Sequence, residues 1–481
     1  MNLADALDIH ARARPTHAAL VEGARRITYA EAARAVRDLA SRLVALPQDA
    51  PVGVCLRDTA EHVLMLYALA RAGRVILPMD ARWTEEEKRN VAAQFGASLV
   101  LLEPDMAALP GLACATVAEL SAWPATHADF PRDEDAPLLL SLSSGTTGRP
   151  KGPLIAHRHF LARFRTHWIN LGLNARDRFL CATPLYFGGG RTFAMSVLFS
   201  GGTVVMCPPP ASPEAIVAAV AAHDITSLFL VPTQFRRLLA LPDAALAPLR
   251  RLTLLFSSGA PLSREERVEI AARLCPHFFE YYASTEGGGV SLLTPADIAA
   301  HGDSVGRPVF AVEVEVVDDE GRPLPPGETG LLRYRGPACA TSYHRDPEAS
   351  AEAFRDGWFH PGDLASLDAD GFITLRGRRK DMIIRAGINI HPADVEAALN
   401  AHPAVGESAV VGWPSREYGE EIAAFVRLRS PADPAELLAF AQARLPRPKW
   451  PRAVFVVEDL PRNSAGKVLK RELAARLTPL P

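Results

Sequence analysis

Lysine is scarce in this chain of 481 residues. Six of its 52 basic side chains are lysines and the other 46 are arginines. A coding bias toward arginine accounts for most positions, but the two residues differ wherever a compact, mobile point charge is needed. Each lysine is therefore a candidate for a specific role, and the six are Lys88, Lys151, Lys380, Lys449, Lys467 and Lys470.

An excess of either charge is also absent. The 52 basic and 55 acidic residues leave a formal charge of −3, which argues against binding to nucleic acid or to an anionic membrane surface. No stretch approaches the roughly 20 apolar residues of a membrane helix, and the first 20 residues lack the apolar run of a signal peptide. We therefore expect no membrane insertion and a cytoplasmic location.

The six cysteines are scattered, with no CxxC pair and no Cys/His cluster. This spacing indicates neither a zinc site nor a disulfide framework, so buried free thiols are expected. The remaining composition, 48% hydrophobic and 22% charged, is that of an ordinary globular protein. At this length, two or more domains are expected.

Helical and strand-like segments alternate through the first 300 residues. Residues 30–46 have apolar groups at helical spacing and precede PVGVCL, a short apolar run, and the same alternation recurs to ITSLFLVP at 225–232. This βα pattern predicts layered α/β architecture with mainly parallel sheets. From about residue 304 the pattern changes to alternating polar and apolar residues around Gly/Pro turns, which predicts antiparallel strands forming a distorted β-barrel.

A charged segment, GRRKD at 377–381, marks a domain boundary. We expect a large N-terminal domain over residues 1–378 and a small, mobile α+β domain over residues 379–481. The second segment has its own helix, PADVEAALNAH, and the strands ESAVVGW, EIAAFVRLR and RAVFVVE.

A loop rich in glycine and hydroxyl groups follows the apolar strand that ends at Leu142. Its sequence, SSGTTGRPKG at 143–152, offers accessible backbone N–H groups, four hydroxyls and Lys151, a set that suits a polyphosphate. The spacing is not the GxxxxGK[ST] of a Walker loop, which argues against an ordinary kinase or GTPase. The alternative is a simple flexible turn.

This loop resembles the phosphate-binding signature of the adenylate-forming superfamily, which includes acyl- and aryl-CoA ligases. The resemblance extends over nearly the whole chain through SSGAP at 257–261, YYASTEGG at 281–288, GWFHPGDLA at 357–365, GFITLRGRRKDMIIRAGINIHPADVE at 371–396 and PRNSAGKVLKREL at 461–473. Three positions depart from the common pattern: Phe187 stands where CoA ligases often have histidine, Ala283 where glycine is usual, and Pro361 where threonine or serine is common.

The resemblance implies a nucleotide site. It assigns the β- and γ-phosphates to Thr146, Thr147, Gly148 and Lys151, and one wall of the adenine slot to Ser258, Gly259, Ala260 and Pro261. Tyr282 would stack on adenine beside Ala283 and Ser284, Thr285 would contact the α-phosphate, and Glu286 would hold Mg²⁺. Asp363 would bind the ribose and Arg378 the ribose or phosphate.

The resemblance also implies a moving lid. Lys467 would cross to the attacking carboxylate and α-phosphate, where it would stabilise charge in the transition state. Lys380 would be the hinge, and rotation would bring Ala386 and Gly387 to the thiol tunnel. A solvated lysine at a helix start is the alternative for Lys467.

The acid substrate is expected between three glycine-containing segments. The pocket residues are Tyr186, Phe187, Gly188, Gly189, Gly287 and Gly288, and the two triple glycines predict room for an aryl or medium-length acyl group. Gly188 stands where amino-acid-activating relatives carry aspartate, so an amino acid is disfavoured. Arg191 could meet a second carboxylate, but a surface or structural role is favoured, as packing or wall roles are for His157 and His159.

The favoured function is an ATP-dependent acid–CoA ligase. A small-molecule carboxylic acid would form an acyl-adenylate with release of pyrophosphate, then a thioester with release of AMP, using ATP, Mg²⁺ and coenzyme A. One alternative is an adenylation enzyme that loads the phosphopantetheine thiol of an acyl carrier protein. Another is a non-catalytic nucleotide-binding relative, although such a module would not need Lys467. The sequence does not give the oligomeric state.

The Lys467→Ala variant should lose adenylate formation and keep thioester formation from a supplied acyl-adenylate, because the ammonium group is needed only where charge develops on the α-phosphate. Pyrophosphate exchange measures the first half-reaction, and thioester release from synthetic acyl-adenylate measures the second. Equal loss of both would contradict this assignment.

Overall fold

The computed structural model describes residues 1–126, 130–142, 150–462 and 468–480. These residues form two compact units, one comprising Met1–Val314 with Tyr334–Phe359 and the other Glu315–Arg333 with His360–Pro481. The boundary predicted between residues 378 and 379 is that of a domain that rotates, which is a different division from these compact units. It stays a prediction.

The helices of the described residues are mostly short. They are α1 (Asp5–Ala13), α2 (Tyr29–Leu43), α3 (Ala60–Ala72), α4 (Glu85–Phe95), α5 (Val117–Ser121), α6 (His157–Asn170), α7 (Gly188–Ser200), α8 (Pro213–Ala222), α9 (Pro232–Leu239), α10 (Asp243–Leu246), α11 (Arg264–Arg273), α12 (Ile298–His301), α13 (Pro347–Ala353), α14 (Pro392–Asn400), α15 (Pro434–Gln442) and α16 (Lys470–Ala474). Single 3₁₀ turns cover Ala247–Arg251, Arg379–Asp381 and Arg447–Lys449.

The strands alternate with these helices over the first half of the chain. They are β1 (Ala18–Glu22), β2 (Arg25–Thr28), β3 (Val52–Cys55), β4 (Ile76–Pro78), β5 (Leu99–Leu102), β6 (Cys114–Thr116), β7 (Pro137–Leu140), β8 (Leu154–Ala156), β9 (Arg178–Cys181), β10 (Thr203–Met206), β11 (Ser227–Leu230), β12 (Leu254–Ser257), β13 (Phe278–Ser284), β14 (Gly288–Leu293), β15 (Arg307–Pro308), β16 (Glu313–Val317), β17 (Thr329–Arg335), β18 (Phe354–Arg355), β19 (Trp358–Phe359), β20 (Asp363–Leu367), β21 (Ile373–Arg378), β22 (Ile383–Arg385), β23 (Ile388–Ile390), β24 (Val405–Ser415), β25 (Gly419–Leu428) and β26 (Ala453–Val457).

Two mainly parallel sheets organise the first unit. One has the strand order β15-β14-β13-β12-β11-β9-β10-β1-β2 and the other β6-β5-β3-β4-β7-β8. Strands β9 to β13 are parallel along the centre of the larger sheet. The short, fully buried and mostly apolar runs of β11 and β12 are what strands covered on both faces require.

Helix α3 lies in a core cluster that contains residues from both sheets. Nearly every residue from Ala60 to Ala72 is buried, so the helix is apolar all round rather than amphipathic. It begins at the Thr59 cap and ends at Gly73, whose φ of +65° closes the helix in the left-handed conformation.

The second unit is built largely from antiparallel strands. Strands β20 and β21 pair antiparallel, and β24 and β25 form a long hairpin joined by β22, β23 and the parallel strand β26. A separate core cluster, with Ile383, Val395 and Val426 among its members, fills this sheet and its helices. The predicted mixed α/β class, with layered sheets followed by an α+β segment, is confirmed.

A bilayer-spanning helix was not expected. Among the described residues, none of the helices combines the length and the apolar character that a membrane span requires.

Candidate functional site

The carboxyl edge of the larger sheet collects three of the predicted segments. Residues 184–187 lie between β9 and α7, which begins at Gly188. Residues 258–261 directly follow β12, residues 282–284 end β13, and Thr285 and Glu286 follow it. Because β12 and β13 are parallel, with Ser257 opposite Glu280, residues 258–261 lie beside the Tyr282 end of the next strand. The edge outside the carboxyl ends of parallel strands is where α/β proteins bind ligands.

A buried arginine holds the Glu286 loop. Arg163 on α6 donates from Nη2 to the carbonyl oxygens of Thr285 and Glu286, both at 3.0 Å, and to Ala338 at 3.3 Å. Burial lowers the pKa of the guanidinium group. The loop carbonyls, which have no strand partner at this point, are thereby satisfied.

Sequence reasoning did not identify Arg163. The signal was present, because Arg163 lies three residues after Phe160 and four before His167, on the buried stripe of α6. A cation on an apolar stripe is an exception that needs a partner, and here the partners are backbone carbonyls.

The turn before Glu286 is closed by Ser284. Its Oγ accepts hydrogen bonds from the Gly287 N–H at 2.7 Å and from the Tyr334 hydroxyl at 2.6 Å. The side chain proposed to line the adenine site is therefore engaged within the turn in this structure.

Glu286 and Lys151 both contact one tyrosine. The Tyr343 hydroxyl donates to Glu286 Oε1 at 3.0 Å, and Lys151 Nζ lies 5.2 Å from the centre of the Tyr343 ring. Glu286 and Tyr343 are each about 8% exposed. A lysine ammonium and a carboxylate that contact the same side chain suit a polyphosphate and the hard cation that accompanies it.

Phe187 forms one wall of the predicted acid pocket. It precedes α7, and its ring lies 3.6 Å from the position that a Cβ on Gly259 would take. A Cβ on Gly188 would meet nothing within 4 Å, so open space lies beside this glycine. The neighbouring Tyr186 contacts Arg82, whose guanidinium lies 5.7 Å from the centre of the Tyr186 ring.

The other five glycines of the two triplets are packed, not open. A Cβ on Gly287 or Gly289 would collide with Tyr334 or Tyr281, and one on Gly288 would lie 2.9 Å from Arg163. Gly189 and Gly190 would meet the Phe229 ring and the carbonyl of Pro184. The inference that both triplets leave space between facing walls is therefore wrong for five of the six, and Gly188 alone faces open space.

Two charged side chains fix the segment that leads to Phe187. The Leu185 N–H donates to Asp58 Oδ1 at 2.5 Å, while Arg191 Nη1 donates to the carbonyls of Leu185 at 3.0 Å and Tyr186 at 2.8 Å. Arg191 also donates to Ser141 Oγ at 3.1 Å. Arg191 is buried, and burial lowers its pKa to about 9. Of the two roles favoured from the sequence, the structure therefore shows the structural one and not a surface position.

The two histidines after the glycine-rich loop serve packing. His157 Nδ1 accepts from the Leu3 N–H at 3.2 Å, and His159 Nδ1 accepts from the Ala156 N–H at 3.1 Å. Burial lowers the pKa of each to about 4, so both are neutral at physiological pH.

The second unit carries the remaining described site residues. Asp363 begins β20 opposite Arg378 of β21, and Arg378 Nε lies 3.0 Å from Asp363 Oδ1. Lys380 lies in the 3₁₀ turn Arg379–Asp381. Ala386 and Gly387, both with positive φ, form the two-residue turn between β22 and β23.

Four predicted site residues lie outside the described residues. They are Thr146, Thr147 and Gly148 of the glycine-rich loop, and Lys467.

Two family models and several named proteins match this chain. The family model described as "AMP-binding enzyme" matches residues 7–344, and the one described as "AMP-binding enzyme C-terminal domain" matches residues 394–467. A feruloyl-CoA synthase from Amycolatopsis sp. is 35% identical, with 97% of each chain covered. A fatty acid–[acyl-carrier-protein] ligase from Streptomyces coeruleorubidus is 32% identical, over 98% of this chain and 96% of that one.

A solved structure matches over a similar length. O-succinylbenzoate coenzyme A synthetase from Bacillus subtilis, in complex with ATP and magnesium ion, has a TM-score of 0.89 and 27% sequence identity. The match covers 97% of this chain and 98% of that one.

The Asp58→Asn variant should be more stable than the wild type at pH 7. Burial raises the pKa of Asp58 to about 6, so only the folded state takes up a proton between about pH 6 and pH 4, and the ionised form destabilises the fold above that range. Asparagine keeps the acceptor for the Leu185 N–H. We expect a gain of about 2 to 3 kcal/mol at pH 7 that shrinks toward pH 4.

Denaturant unfolding at pH 4.5 and pH 7 measures this difference. Asp49→Asn, at an exposed position, is the control and should follow the wild type. The prediction would be contradicted if the difference in unfolding free energy between Asp58→Asn and the wild type were the same at pH 4.5 and pH 7.

Proposed function

The chain belongs to the AMP-binding enzyme family, and we propose that it is an AMP-forming acid–CoA ligase whose substrate is an aryl or medium-length carboxylic acid. The contact of Lys151 and Glu286 with the two sides of Tyr343 carries this proposal. It brings a phosphate-binding cation and a magnesium-binding carboxylate together beside the carboxyl edge of a parallel sheet.

ATP and Mg²⁺ fit the residues that surround this point. Among the described residues no cluster of three or more His, Cys, Asp or Glu side chains could hold a metal alone. Mg²⁺ is commonly held by one or two carboxylates together with substrate phosphates, and Glu286 supplies one such carboxylate. The bound cation would neutralise charge on the phosphates while the acid attacks.

The nucleotide roles follow from the family. Lys151, Thr146, Thr147 and Gly148 would bind the β- and γ-phosphates, and Thr285 the α-phosphate. Residues 258–261 and 282–284 would enclose adenine, which the register of β12 and β13 supports by setting these segments side by side. Catalysis in this step is mostly positioning and charge neutralisation.

The second unit would supply the ribose contacts and the moving parts. Asp363 accepts from Arg378 and is buried, so its carboxylate is held in one orientation. Lys467 would act in adenylation, Lys380 would be the hinge, and the Ala386–Gly387 turn would line the thiol tunnel after rotation.

The acid class is supported by the pocket wall. Phe187 offers an apolar ring where a histidine is common, and the space beside Gly188 is open. The feruloyl-CoA synthase, the similar protein described above, is named for an aryl acid. An aryl ring would pack against the Phe187 ring and bury apolar surface there, which a short acid such as acetate cannot do.

A carrier-protein thiol is the second candidate acceptor. The similar fatty acid–[acyl-carrier-protein] ligase favours it, because coenzyme A and the carrier present the same phosphopantetheine thiol.

Pyrophosphate exchange across a panel of carboxylic acids tests the proposal. We expect exchange with cinnamate- or benzoate-type acids or with medium-chain acids, and thioester formation when free coenzyme A is added. Exchange without thioester on free coenzyme A, but with transfer to a carrier protein, would select the second acceptor. No exchange with any acid would favour a non-catalytic nucleotide-binding protein.

Enlarging Gly188 should reshape the acid preference. Gly188→Leu would place a side chain in the open space, so kcat/KM for aryl acids should fall at least about tenfold while that for acetate changes little. Gly188→Ala should give an intermediate loss. An equal loss for every acid would show that this glycine does not line the acid pocket.

A further inference from the structure

Tyr343 lies between the two parts of the nucleotide site in the first unit. Its hydroxyl donates to Glu286 Oε1 at 3.0 Å, and its ring face lies under Lys151 Nζ at 5.2 Å. The side chain is about 8% exposed, and burial together with the Glu286 carboxylate raises its pKa. The Tyr343 O–H is thus held by Glu286 while its ring face contacts Lys151.

The backbone around Tyr343 is fixed on one side by the end of the glycine-rich segment. The N–H of His344 donates to the carbonyl of Gly152 at 2.8 Å, and the N–H of Leu154 donates to the carbonyl of Ser342 at 3.1 Å. Pro153 and Tyr343 form an antiparallel bridge between these bonds. The position of Tyr343 is thus set by the same short ladder that positions Lys151.

The Glu286 loop fixes the other side of this segment. The N–H of Ala340 donates to the carbonyl of Glu286 at 2.9 Å, and Arg163 binds the carbonyls of both Ala338 and Glu286. Within this fixed frame the Tyr343 O–H donates to Oε1 of the Glu286 carboxylate.

We propose that Tyr343 is a positioning residue that sets the distance between the phosphate-binding ammonium of Lys151 and the magnesium-binding oxygen of Glu286. This rests on the roles proposed above for those two residues. The O–H would hold the Glu286 carboxylate in one orientation for the cation, and the ring face would hold the ammonium of Lys151 beside it. A hydrogen-bond partner behind a metal ligand acts in this way, by fixing the ligand's orientation and tuning its basicity.

Two substitutions separate the two contacts. Tyr343→Phe removes the donor and keeps the ring, so ATP binding without Mg²⁺ should stay within about twofold, while the half-saturating Mg²⁺ concentration should rise about tenfold or more. Tyr343→Leu also removes the ring, so ATP binding without Mg²⁺ should weaken about two- to fivefold as well.

The measurement is calorimetric titration of the full chain with ATP at fixed MgCl₂ concentrations from zero to saturation. It needs no acid and no turnover, so it is independent of the substrate proposed above. Tyr67→Phe is the matched control, because that buried tyrosine donates one hydrogen bond, to the Met195 carbonyl at 2.8 Å. It should lose comparable stability and leave the Mg²⁺ dependence unchanged.

Glu286→Gln supplies the reference. If it raises the half-saturating Mg²⁺ concentration and Tyr343→Phe does not, the positioning role is overturned while the role of Glu286 stands. If Glu286→Gln leaves the Mg²⁺ dependence unchanged, both the role of Glu286 and the inference built on it are overturned. A rise with Tyr67→Phe equal to that with Tyr343→Phe would also overturn it, since general loosening would then explain the effect.

Discussion

The guanidinium of Arg163 makes the contacts on which the Glu286 loop and the segment at Ala338, both near the proposed nucleotide site, depend. Two segments far apart in the sequence, at 285–286 and at 338, leave carbonyl groups inside the protein with no strand to pair them. A buried carbonyl without a donor is costly, and one planar side chain with several N–H groups donates to all three, of which the Glu286 carbonyl also accepts from the Ala340 N–H. Fixing those segments also fixes the path from Ala338 to Tyr343, and so the contact with Lys151.

The parallel sheet and the buried charged side chains determine different parts of the site geometry. Parallel strands bring the ends of β9, β11, β12 and β13 to one edge, but they do not set the conformation of the loops that leave it. Charged groups inside the protein set it: Arg163 for the Glu286 loop, Asp58 and Arg191 for the Phe187 segment. In each case the partner is a backbone group, so the geometry is largely independent of neighbouring side chains.

This division explains what could be predicted from the sequence. Helix and strand periodicity gave the alternation of β3, α3 and β4, and the motifs located Lys151, Glu286 and Asp363 by resemblance. The packing around the glycines could not be predicted from periodicity or from motifs. Gly287 and Gly289 are small because Tyr334 and Tyr281 lie against them, and which distant ring meets a glycine is decided by tertiary structure alone.

The contacts of the buried cations explain why arginine rather than lysine occupies positions 163 and 191. Arg163 and Arg191 each reach two or more carbonyls, which needs the planar fork of donors that lysine lacks. Lys151 instead contacts the face of an aromatic ring through a compact ammonium. In the phosphate-binding role proposed above for Lys151, an arginine would stack flat on Tyr343 and present a fixed plane of donors, so the two cations are not equivalent at this position.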